Sequence, residues 1–306
     1  MKAMPATSDP TPAPDYSAMA DALQATGEYR VLRKLRPPMR YEADAAAGLR
    51  RAIFLDVETT GLDSARHEII ELAMAPFTYA PDGRILGVGE PFQALREPSH
   101  PIPPEVTAIT GIDDSMVAGR SIDPADVARF VEGADLVIAH NASFDRRFME
   151  MFCESFAHLP WACSMSQVEW QAEGHEGVKL AWLAAGAGFF YDKHRAVNDC
   201  HAGIELLSRA LPRSGQLAMA QLLERARAPS WRIWASGAPY DLKDNLKARG
   251  YRWNADGAGA QRAWFIDVPD HAHEDEIRFL HEEIYGRVVD INCRKIDAYD
   301  RFSNRV

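Results

Sequence analysis

The chain has 306 residues, 47% of them hydrophobic and 25% charged, and a formal net charge of -10. That is the composition of an ordinary globular protein with material for two domains, or for one domain and an appendage. The acidic balance excludes a protein that clamps nucleic acid by bulk charge, because phosphate binding wants a basic face; carboxylates gathered around metal ions are neutralised locally and escape that exclusion.

Residues 1 to about 14 are rich in Pro, Ala, Ser and Thr and are expected to be disordered. "DYSAMADALQATGEYRVLRKL" predicts a short helix stopped by Gly27, then an extended segment before Pro37 and Pro38, so residues 1-49 read as an extension. From residue 50 the pattern becomes mixed. "AIFLDV", "EIIELAMAPFTY", "ILGVGEPFQAL" and "ADLVIAH" read as strands, the second and third separated by the turn "APDGR". "PADVARFVEG", "SFDRRFMEMFCESF", "VKLAWLAAGAG" and "AVNDCHAGIELLSRAL" read as helices. Three strands joined by short turns, then strands alternating with helices, indicate an α/β domain with a mixed sheet over residues 50-213.

Residues 214-229 read as a linker, with an amphipathic helix as the other reading of the stretch around "GQLAMAQ". Residues 230-306 look like a small α+β module. "WRIWA" is strand-like, "YDLKDNLKARG" is a helix stopped by Gly250, "YRWNADGAGAQRAWFIDV" is a hairpin around a Gly-rich turn, and "HEDEIRFLHEEIYG" is a further helix. Of the four cysteines, none forms a C-x-x-C pair, which fits reduced thiols in a cytosol. With no secretory h-region and no apolar run of spanning length, a cytoplasmic chain without membrane attachment is expected.

The stretch "IFLDVETTGL" raises the chemical question. Asp56 and Glu58, two apart on a strand, project from the same face at the end of an apolar run. Burying one unpaired carboxylate costs several kcal/mol, and two side by side cost more through mutual repulsion. Alone, the pair reads as a strand end emerging into water. Two other segments alter that reading: "LVIAHNASFDRRF" places Asp145 in the first turn of a helix after a strand, and "HRAVNDCHAGIELL" places His194 five residues before Asp199 at another helix start. Four acids and a histidine gathered in one place are stable when divalent cations neutralise them, and hard oxygen ligands suit Mg²⁺ or Mn²⁺. His201, two positions past Asp199 on that helix, faces roughly the other way and reads as structural or exposed.

"DVETTGL", "HNASFD" and "HRAVND" resemble the three motifs of the DEDDh exonuclease family, which includes the proofreading epsilon subunit of bacterial DNA polymerase III and ribonuclease T. The resemblance runs from about residue 50 to 211 and includes "EIIELA" and "IPPEVTAITGI". It implies a ribonuclease H-like fold and a metal-dependent 3′-5′ exonuclease that releases nucleoside 5′-monophosphates. It also implies two Mg²⁺ or Mn²⁺ ions held by Asp56, Glu58, Asp145 and Asp199, with His194 as general base. An imidazole, with an ordinary pKa of about 6.5, then makes the rate rise with pH through the histidine range. The family uses the turn after the first acids to hold the terminal nucleotide, which points to Thr59 and Leu62; Phe144, His140 and Asn141 are further candidates near the substrate.

The expected partner is nucleic acid with a free 3′ end, single-stranded, with DNA favoured over RNA; RNA end-trimming and a non-catalytic scaffold with a vestigial site are the alternatives. The C-terminal module interleaves Trp231, Trp234, Trp253 and Trp264 with Lys243, Lys247, Arg249 and Arg252. A single-strand grip is one reading. Core packing for most of the Trp side chains, with a basic outer face or a protein-docking role, is the other.

Overall fold

The computed structural model describes residues 14–37, 47–254 and 262–305. The disorder expected before residue 14 and the Gly-rich turn of the C-terminal hairpin lie, for residues 1–13 and 255–261, outside the described residues, as does Pro38.

The described chain opens with helix α1 (Tyr16–Ala25), capped by Asp15 and followed by Gly27 in the left-handed region, and with the short strand β1 (Arg33–Lys34). Then come β2 (Arg50–Thr59), β3 (Ile69–Tyr79), β4 (Ile85–Val88), β5 (Phe92–Leu95), α2 (Pro104–Thr110), α3 (Asp114–Val117), α4 (Pro124–Val131), β6 (Leu136–Ala139) and α5 (Ala142–Phe152). β7 (Trp161–Cys163), α6 (Leu180–Gly186), β8 (Phe189–Phe190), α7 (Ala196–Leu207) and α8 (Ala218–Arg227) complete the larger part. Its sheet runs β4-β3-β2-β6-β7, with β5 also paired to β3; β2 is antiparallel to β3 and parallel to β6, and β6 is parallel to β7. This is the mixed α/β, ribonuclease H-like arrangement.

Both faces of the sheet are covered, which explains the continuous apolar character of β2. Phe54 joins one core with α6, α7 and α8, whereas Ile53, Leu55 and Val57 join another with α4 and α5. "ILGVGEPFQAL" is two strands rather than one: pairing with β3 stops at Gly89 and resumes at Phe92, past Pro91, which has no N–H for the ladder. The stretch read as a linker carries α8, and its Ala218, Met219, Leu222, Leu223 and Ala226 are buried in the larger core. The apolar face at helical spacing has a partner there, so the segment packs and does not tether.

The C-terminal part is an antiparallel sheet ordered β10-β11-β9-β12, formed by β9 (Ser230–Ala235), β10 (Arg252–Trp253), β11 (Trp264–Pro269) and β12 (Cys293–Ile296). Helices α9 (Lys243–Arg249) and α10 (His273–Phe279) cover one face, closing a core around Ile233, Leu246 and Leu280. After β12 the chain returns to the larger sheet, where Trp161 N–H donates to the Ala298 carbonyl at 2.8 Å.

Candidate active site

Asp56 and Glu58 end β2 on the face that carries Phe54. Helix α7 lies across that face because Gly203 has no side chain: a Cβ there would stand 2.1 Å from the Phe54 ring. Gly203 is one turn beyond Asp199 on the helix, and Phe54 is two residues before Asp56 on the strand. The close approach at Gly203 therefore sets Asp199 against Asp56. Carboxylate oxygens of Asp56, Glu58 and Asp199 lie within 4.8 Å of one another, and among the described residues this is the group of three or more such side chains gathered closely enough to hold an ion.

Asp145 comes from the other side of β2. β6 ends at Ala139, Asn141 takes a left-handed turn (φ 88°), and α5 begins, so Asp145 is buried and accepts the Val57 N–H at 3.2 Å. It stands outside the group of three but acts electrostatically on Asp56.

The electrostatics are those of crowded, desolvated acids. Burial, then Asp145, Asp199, Glu58 and Glu71, hold the Asp56 carboxyl far above the carboxylate range. Burial, then Asp199, Glu71 and Asp145, push Glu58 up to about 8 against the pull of Arg195. Burial takes Asp145 to about 8, although its own N–H and that of Val57 oppose the shift. Asp199 is raised by burial, opposed by hydrogen bonds from Tyr191 and His194. Such a cluster is charged at neutral pH when cations neutralise it, and its all-oxygen donor set fits Mg²⁺ or Mn²⁺.

His194 precedes α7 in the left-handed region (φ 63°), a conformation that costs a residue with a Cβ about 1–2 kcal/mol. Its N–H donates to Asp199 Oδ2 at 2.9 Å, and its charge acts on Asp199. Sequence reasoning missed three neighbours. Tyr191 donates its hydroxyl to Asp199 Oδ1 at 2.8 Å, while Arg195 and the Ala196 N–H bond the buried Glu71, which sits opposite Glu58 across the β2–β3 pair. The signal for Tyr191 was its place three residues before His194; that for Glu71 was a charge inside the apolar run "EIIELAMA".

The residues expected near substrate divide. Leu62 is 86% exposed on the turn after β2, and the Thr59 hydroxyl donates to the Gly61 carbonyl at 2.6 Å, bracing that turn. Gly61 is needed there because a Cβ would meet the His67 ring at 2.4 Å. Phe144 is half-buried against the α5-side core and packs on Phe148 with ring centroids 5.0 Å apart. His140 is committed internally, Nδ1 to Ser164 Oγ at 2.9 Å and Nε2 to the Val178 carbonyl at 2.7 Å, and burial lowers its pKa to about 4. It ties the end of β6 to the loop before α6, while Asn141 forms the elbow and accepts from Ser143 Oγ.

In the C-terminal module Trp234 is buried, Trp231 donates to Asp270, and Trp253 is half exposed, edge-on to Trp264. Of the four cations, Lys247 pairs with Asp244, Arg249 with Glu276 and Arg252 with Asp267; Lys243 lies over the exposed Tyr240 ring. Lys247, Arg249 and Arg252 each have an acidic neighbour and remain partly exposed.

Fold and site together define an α/β protein of ribonuclease H-like topology with an acidic cation cluster at the ends of its central strands. Residues 53–207, just over half of the chain, match the family profile RNase_T, described as Exonuclease, and the chain belongs to that family. It is 42% identical over 118 residues to the PolC-type DNA polymerase III of Listeria welshimeri, a stretch that covers 37% of this chain and 8% of that relative. It is 30% identical over 163 residues to the DNA polymerase III subunit epsilon of Treponema pallidum, covering 50% of this chain and 73% of that one. Among solved structures it is similar to exonuclease X in complex with 5′ overhanging duplex DNA, with 28% identity, TM-score 0.41, and 56% and 99% of the two chains covered. It is also similar to exonuclease I, with 16% identity, TM-score 0.48, and coverages of 82% and 63%. Among the described residues, no helix is long and apolar enough to cross a membrane.

Proposed function

We propose that the protein is a 3′-5′ exonuclease that hydrolyses the terminal phosphodiester bond of nucleic acid, DNA before RNA, and releases nucleoside 5′-monophosphates. The observation that carries this reading is the convergence of Asp56, Glu58 and Asp199 oxygens within 4.8 Å, with His194 bonded to the last of them. Asp56, Glu58, Asp145 and Asp199 would hold two divalent ions. Mg²⁺ or Mn²⁺ bound there would neutralise the acids and stabilise the charge that develops on phosphoryl oxygens. The protein's own part is orientation and proton transfer. Tyr191 Oη–H and His194 N–H each hold one oxygen of Asp199, fixing its carboxylate plane, and Val57 N–H fixes Asp145. His194 takes the proton of the attacking water on a ring nitrogen. Leu62, exposed on the braced turn, would meet the terminal base or sugar.

DNA is favoured because the relatives are named as DNA polymerase III chains. The test is a competition between 5′-labelled single-stranded DNA and RNA of the same sequence, each with a free or a phosphate-blocked 3′ end. We expect stepwise shortening of the free-ended DNA, slower shortening of RNA, and 5′-mononucleotides as products. Faster loss of RNA would reverse the sugar assignment, and cutting at internal positions would exclude an exonuclease.

A further inference from the structure

Glu71 is the third residue of β3 and is fully buried. An ionised carboxylate inside a sheet is unfavourable unless donors surround it. Here four N–H groups do so: Gln93 Nε2 at 2.7 Å, Arg195 Nη2 at 3.1 Å and Nε at 3.3 Å, and the Ala196 backbone N–H at 3.1 Å. Glu71 is not among the three acids whose oxygens converge. An apolar residue would serve the core better.

What the carboxylate holds is the chain immediately after His194. On its own side His194 is tied to Asp199 through its N–H, so it stands between two carboxylate anchors, one on α7 and one on β3. Its left-handed backbone is not a resting conformation for a residue with a Cβ and persists only where the surroundings impose it.

We propose that Glu71 is a positioning residue for His194: by pinning Arg195 and the first N–H of α7 to β3, it imposes the left-handed turn that sets the His194 backbone N–H on Asp199 and so fixes where the imidazole stands. The inference rests on the reading of His194 as proton acceptor. Glu71→Gln keeps the volume but loses the charge and one acceptor oxygen. If Glu71 acts through His194, the two substitutions are not additive.

The experiment compares the full chain carrying Glu71→Gln, His194→Ala or both, assayed on 5′-labelled single-stranded DNA in Mn²⁺, with amide hydrogen exchange of the cation-free protein. Glu71→Gln is expected to lower kcat at least tenfold with KM within twofold, and to change kcat less than twofold when His194 is already Ala. Exchange at the His194 and Ala196 amides is expected to quicken at least tenfold while β2 and β6 stay protected. An equal loss in both backgrounds, or unchanged exchange at residues 194–196, overturns the proposal. Should Glu71→Gln not fold, Arg195→Ala cuts the same link from its exposed side and is read by the same criteria. If the unsubstituted protein degrades no oligonucleotide, the exonuclease reading fails separately, and exchange alone supports the anchor if faster or overturns it if unchanged.

Discussion

Glu58 shows what the site demands of single residues. Its carboxyl is pushed from the ordinary 4.5 to about 8 by burial and by the charges of Asp199, Glu71 and Asp145. A carboxyl whose pKa is higher in the folded state holds a proton that the unfolded chain releases, so stability falls as pH rises between those two values. The melting temperature of the EDTA-treated protein is therefore expected to decline from pH 5 to pH 8, and Glu58→Gln to flatten the decline. Mn²⁺ is expected to raise it more at pH 8 than at pH 5; thermal circular dichroism reads all three, and a response independent of pH and cation contradicts the cluster's electrostatics. As the proposed proton acceptor, His194 would contribute to rate and not to cation binding. His194→Ala should lower single-turnover rates by roughly 10²–10⁴-fold, the range for a general base, while leaving Mn²⁺ affinity within a few-fold.

At the scale of elements, the site depends on how α7 lies on β2, and that is decided where neither acid is. Gly203 against Phe54 brings helix and strand together, and a methyl group there must push the helix away. Gly203→Ala should cost about 1–3 kcal/mol, as overpacking does, and should lower activity further than its loss of stability explains, because Asp199 moves with the helix. Denaturant unfolding alongside the nuclease assay separates the two effects; full activity would show that this contact does not set the spacing of the acids.

The same element-scale view explains what the sequence made legible. "DVETTGL" and "HRAVND" make Asp56, Glu58, His194 and Asp199 legible because each is a short local stretch that resembles a motif of the family. Glu71 and Tyr191 act through register and loop return, so their local signals, a charge in an apolar run and a tyrosine near His194, do not reveal their partners. β7 and β12 escaped because strands of three or four residues carry little periodicity, and Pro91 was not read as the break between β4 and β5. His140 looked available to substrate because its two partners, Ser164 and Val178, are distant in sequence.

At the scale of the whole molecule, both ends of the described chain are built into the nuclease part. β1 pairs in parallel with β8, just before Tyr191, so the N-terminal extension braces the loop that carries His194. Arg146, next to Asp145, is fully buried; its guanidinium donates to Glu150 and to the carbonyls of Arg301 at 2.7 Å and Tyr299 at 2.6 Å. A cut after residue 229, the obvious way to remove the C-terminal module, would strip the Arg301 and Tyr299 carbonyls and leave Arg146 with Glu150 alone. Deletion of residues 297–306 is expected to destabilise the chain by about 1–3 kcal/mol, the scale of buried donors left without acceptors. Arg146→Met should recover part of that loss in the shortened chain, as read by denaturant midpoints; no recovery would mean that the C-terminal segment stabilises by other contacts.

In the proposed function this acid cluster, loaded with divalent cations, shortens nucleic acid from its 3′ end. The most direct measurement is a time course of the full chain on 5′-labelled single-stranded DNA in Mg²⁺ or Mn²⁺, beside EDTA and Asp145→Ala controls. The expected result is a ladder that shortens one nucleotide at a time from the 3′ end, abolished by EDTA and lost in the variant. Intact oligonucleotide under every cation, or cleavage that survives EDTA or Asp145→Ala, would contradict it.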